Sequence, residues 1–96
     1  MTAGPSHVVE QVGLAVAELA TGRGTLQERL ADASLHLLTI RAAEMPDALR
    51  DQFTRMEPLW LSGDAGQLDD DAAESAARAI VVVYTELVML RSAGGA

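Results

Sequence analysis

Apolar positions recur at helical spacing along most of this chain. Over residues 6–20, Val9, Val12, Val16 and Leu19 fall on one side at three- and four-residue steps, and Val8 and Ala15 widen the stripe. Ser6 is placed to cap this helix, and Gly22 and Gly24 are placed to end it. Thr25-Leu26-Gln27-Glu28 then has the form of a capping box, opening a second helix over residues 25–44. Its main apolar face is Leu26, Leu30, Ala33, Leu37 and Ile40. Ala31, Leu35, Leu38 and Ala42 form a second flank. So broad an apolar arc predicts contact with two neighbouring helices.

Met45-Pro46-Asp47 interrupts the pattern, because a residue before proline is steered away from the helical region while proline suits a first turn. A third helix follows over residues 46–60, with Leu49, Phe53 and Met56 inward and Pro58 ending or kinking it. Ser, Gly and Asp mark residues 62–67 as a loop. Asp69 caps a fourth helix over residues 69–92, with Asp70 and Asp71 favourably placed in its electropositive first turn. The run Ile80-Val81-Val82-Val83 has strand character, but AAESAARA leads into it without a breaker and no second strand is on offer. The expected fold is therefore all-α, a four-helix bundle or compact helical array in one domain, with loose ends at about 1–5 and 92–96. The fourth helix is expected to be its most buried element.

On that helix Ala73, Ala76, Ile80, Val83, Tyr84, Leu87 and Leu90 share the inward face. Val81 and Val88 lie to one side, and Val82 and Met89 fall in a sector otherwise held by Glu74, Arg78 and Thr85. Leaving Val81, Val82, Val88 and Met89 in water would forfeit about 6–12 kcal/mol, comparable to the roughly 5–15 kcal/mol stability of a domain. Either the other three helices cover this surface or a partner does. A second copy of the chain or another protein is the working expectation. Trp60 is expected to pack its ring over the end of the bundle, and its place beside Pro58 and the loop makes a partner-facing anchor the alternative.

Charge and composition narrow the function. The 96 residues carry a net charge of −7 without a basic cluster, so phosphate backbones and anionic membranes are poor partners. All seven basic residues are Arg, which removes Schiff-base chemistry and a phosphate-loop Lys. Cys is absent, and with it disulfides, thiolate ligands and a Cys nucleophile. The N-terminal MTAGPSHVVEQV does not read as a signal peptide, and the apolar run 79–90 contains Glu86 and is too short for a span. A cytoplasmic setting is expected.

Glu28, Asp32 and His36 follow at four-residue steps along one helix face, the right ligand types for a divalent metal but too spread along the axis to converge. No cofactor is expected. Neither His7 nor His36 has the company of a nucleophile, and no serine sits in an elbow motif. Length and the pair Arg29 and Arg41 superficially match small all-helical chorismate mutases, whose charged pocket the complete lack of Lys contradicts.

Three stretches together, GTLQERLADASLHLL, MPDALRDQF and LDDDAAESAARAIVVVYTEL, resemble small uncharacterised helical proteins of bacteria over residues 24–87. The resemblance implies a bacterial cytoplasmic protein and carries no catalytic residues with it. The expectation is thus a non-enzymatic protein-interaction module, accessory or regulatory, acting as a homodimer through Val82, Met89, Val88, Val81 and Trp60. The alternatives are a small-ligand or metal-binding bundle, and an acidic inhibitor or antitoxin-like protein that neutralises a basic partner.

Overall fold

The structure, a computed structural model, describes residues 4–94, with side chains from 7 to 91. Among these residues the fold is all-α: α1 (Gly4–Thr21), α2 (Leu26–Leu37), α3 (Asp47–Met56), the single turn α4 (Pro58–Leu61) and α5 (Asp70–Gly94), with short 3-10 turns at Ala42–Glu44 and Ala65–Gln67. The radius of gyration is 12.9 Å, close to the about 12.5 Å of a compact chain this long. No strand occurs among the described residues.

Local chemistry explains most boundaries. Thr25 Oγ1 accepts from the Glu28 backbone N–H at 3.1 Å, and the Glu28 carboxylate accepts from the Thr25 N–H at 3.1 Å. This capping box starts α2 where the pattern places it. Gly24 precedes it at φ +96°, where a side chain would be strained and would crowd the Glu28 carboxylate. Asp69 Oδ1 accepts from the Ala72 N–H at 2.7 Å and opens α5. Pro58 has no N–H to give, so Glu57 N shares the carbonyls of Phe53 and Thr54, and the helix resumes with Leu61 N on Glu57 O at 2.9 Å. α3 and α4 are therefore one helix broken at Pro58.

Other boundaries differ from the pattern. α1 begins at Gly4, so Ser6 lies within the helix and is not its cap; residues 4–5 and 92–94, expected as loose ends, are helical, while 1–3 and 95–96 lie outside the described residues. α2 stops at Leu37 and not near Glu44. Its end tightens through Thr39 N on His36 O and Ile40 N on Leu37 O, and Thr39 Oγ1 also donates to His36 O at 2.7 Å. Leaving the helix there lets Ile40 and Met45 both reach the core.

One apolar core joins all the helices. α1 contributes Val8, Val12, Ala15 and Leu19; α2 contributes Leu30, Ala33 and Leu37; α3 contributes Leu49 and Phe53. α5 packs on α1, α2 and α3 through a narrow stripe of Ala73, Ile80, Val83 and Leu87. It is consequently not the most buried helix, and Leu90, expected on its inward face, is exposed. Tyr84 lies against α1 at Gly13, where an added Cβ would come within 3.2 Å of the ring. Polar ties reinforce the packing. Arg29 of α2 donates to Leu19 O at the end of α1 at 2.7 Å, satisfying a carbonyl the helix leaves unpaired. Gln27 Nε2 donates to Leu68 O and Asp70 Oδ1 at 3.0 and 2.8 Å, joining α2 to the start of α5.

Trp60 packs inward, and the alternative of a partner-facing anchor fails. It is 4% exposed and packs on Phe53 with ring centroids 5.2 Å apart. Seven residues along the α3–α4 helix bring both rings to the same side, and burying two aromatic surfaces outweighs displaying one. Trp60 is therefore a core residue and not a partner-facing anchor. Phe53→Ala should destabilise the protein by about 3–5 kcal/mol, whereas Thr25→Ala should cost only about 1 kcal/mol. Urea unfolding followed by Trp60 fluorescence measures both.

Candidate protein-interaction surface

The outer side of α5 carries the apolar side chains that its narrow inner stripe leaves uncovered. Ile80, Val83 and Leu87 turn inward, so their neighbours Val81, Val82, Val88 and Met89 turn outward. The three valines are 38–42% exposed and Met89 is 64% exposed. Thr85, among them, donates its hydroxyl to Val81 O at 2.9 Å. Its polar group is satisfied inside the helix, so it does not break the apolar run with an unpaired donor. Toward the N-terminus the same side becomes acidic at Asp70, Asp71 and Glu74, with Arg78 at the junction.

A second apolar patch lies where α2 meets α4. Leu35 and Leu38 are 64% and 48% exposed. A cleft of about 240 Å³ opens beside them, bordered by Ala31, Ser34, Leu59, Trp60 and Ala65. α2 does touch α1, α4 and α5, but none of these covers its second flank fully. The sequence carried a trace of this patch, since the apolar arc of α2 is wider than its close neighbours can cover. Leu59 of α4, however, joins Leu35 and Leu38 only through the fold. A larger cleft of about 360 Å³ runs between α4 and α5, lined mainly by Met56, Leu59, Leu68, Ala76 and Ala79, with Arg55 and Asp64 also contributing.

The polar candidates are occupied or apart. The Glu28 carboxylate belongs to the α2 cap. His36 Nε2 stands 3.6 Å from Glu18 Oε1 of α1, across the helix pair. Glu28 and His36 are separated by about 12 Å of helix rise, too far for one metal to bridge at about 2 Å per ligand. Among the described residues no group of three His, Cys, Asp or Glu side chains could hold a metal ion. Arg29, one of the two arginines that suggest a chorismate mutase, spends its guanidinium on Leu19 O and Thr25 O. Among the described residues no helix is long and apolar enough to cross a membrane.

No family model matches this chain, and neither do any curated protein or solved structure.

The geometry makes a definite metal prediction. Saturating Zn²⁺ should raise the melting temperature by less than about 1 °C, because stabilisation requires a site that exists only in the folded state. Differential scanning fluorimetry with and without His36→Ala checks this, and a large shift abolished by that substitution would contradict it.

Proposed function

We propose that this protein is a non-enzymatic protein-interaction module, an accessory or regulatory protein that docks and self-associates through the outer face of α5. The observation that supports this reading is the cluster Val81, Val82, Val88 and Met89, contiguous on one helix and left in solvent by every other element. Because the valines are somewhat more than half covered already and Met89 about a third, burying what remains is worth about 0.8–1.5 kcal/mol per side chain. Four side chains on each of two copies offer about 6–12 kcal/mol. Association costs at least about 4 kcal/mol in lost freedom of motion. The margin supports a weak, concentration-dependent complex, suited to regulation and not to a permanent assembly. The acidic surface, at net −7, favours a basic partner for any hetero-complex and disfavours nucleic acid.

The α2–α4 patch supports a second reading in the same class. A cleft lined by Leu35, Leu38 and Leu59 suits an apolar side chain from a partner protein. The two readings separate by mutation. Val82→Glu with Met89→Glu should weaken self-association at least tenfold while changing stability by less than about 1 kcal/mol, because both positions are exposed. Leu35→Glu with Leu38→Glu should leave it unchanged. Sedimentation equilibrium up to high concentration reads the first effect and urea unfolding the second. A strictly monomeric parent protein, or the reverse mutational pattern, overturns the α5 reading.

A further inference from the structure

We infer that the outer face of α5 pairs with the same face of a second copy about a two-fold axis, with the two helices antiparallel and Val82 of each beside Thr85 of the other. This rests on the α5 reading above and specifies the partner, direction and register.

Spacing supplies the first argument. Arg78, Val82, Thr85 and Met89 follow in steps of four, three and four, the repeat that keeps one seam facing a partner helix. Val81 and Val88 flank the seam on one side and Glu86 on the other, all of them exposed. α5 spans about 37 Å in a molecule whose longest dimension is 39 Å. Its outer face therefore runs the length of the protein, as a helix-to-helix contact requires.

Charge decides the direction. The first turns of α5 hold Asp69, Asp70, Asp71 and Glu74, while Arg78 and Arg91 lie further along. Two parallel copies would set this acidic cluster against itself at about 10 Å, the spacing of packed helices. They would also set Arg78 against Arg78. With the axis between Val82 and Thr85, antiparallel copies hold their Asp70 residues about 40 Å apart, several times the about 8–10 Å range of charge interaction in physiological salt. The same register brings Arg78 of one copy to within about one turn of Glu86 of the other, twice by symmetry. Among the described residues neither Arg78 nor Glu86 takes part in an ion pair within the chain. For two molecules that repel overall, the antiparallel arrangement turns local charge from opposing contact to favouring it.

The absence of cysteine from the sequence makes the test direct. Thr85→Cys and Glu74→Cys are both exposed single-cysteine variants that leave the core untouched. Each is treated with a short bis-maleimide at a concentration where sedimentation shows the dimer. The expected result is a covalent dimer from Thr85→Cys and at least tenfold less from Glu74→Cys, whose two copies lie about 28 Å apart along the axis. Equal cross-linking at both positions means parallel helices and overturns the inference while leaving the α5 reading intact. A dimer that cross-links at neither position associates elsewhere and overturns this register. A monomer at every concentration overturns both the inference and the reading beneath it.

Discussion

The fold depends on one contact, the stripe of Ala73, Ile80, Val83 and Leu87 on α5 lying against α1 and α2. Helices this short are marginal in isolation, and their stability comes from burying an apolar face. α1 and α2 supply the other half of the contact through Val8, Val12, Ala15, Leu30 and Ala33. Gly13 lets Tyr84 settle on α1, and Gln27 ties the opening of α5 to α2. Phe53, Trp60, Ile40 and Met45 extend the same core.

That contact also explains why the surface is apolar in places. A chain of 96 residues has a large surface for its volume, and its helices are too few to surround α5 on every side. α5 is more than twice as long as α2 or α3 and meets its neighbours along one narrow line. Its outer side therefore stays uncovered however well the core is packed. α2 meets the same shortage on its second flank. Exposed apolar atoms are ordinary on any protein surface. Val81, Val82, Val88 and Met89 are distinguished by being contiguous, helically spaced and free of interrupting charge. Together they leave one continuous apolar strip along the outer side of α5.

Helix content and most starts were legible in the sequence because they rest on local rules. The Thr25–Glu28 capping box, the Asp69 cap and the break at Pro58 involve residues within four positions of one another, so composition and spacing determine them. The outward placement of Val81, Val82, Val88 and Met89 was also legible, because helical periodicity alone assigns a side of α5. Tertiary structure decided what long-range competition for the core controls. Trp60 went inward because Phe53 was there to receive it. α2 ended at Leu37, and beyond it Ile40 and Met45 lie buried in the core. Leu59 came beside Leu35 and Leu38 only when the chain folded back after α3. Local hydrogen bonding is written in neighbouring residues, whereas burial depends on which distant surfaces arrive.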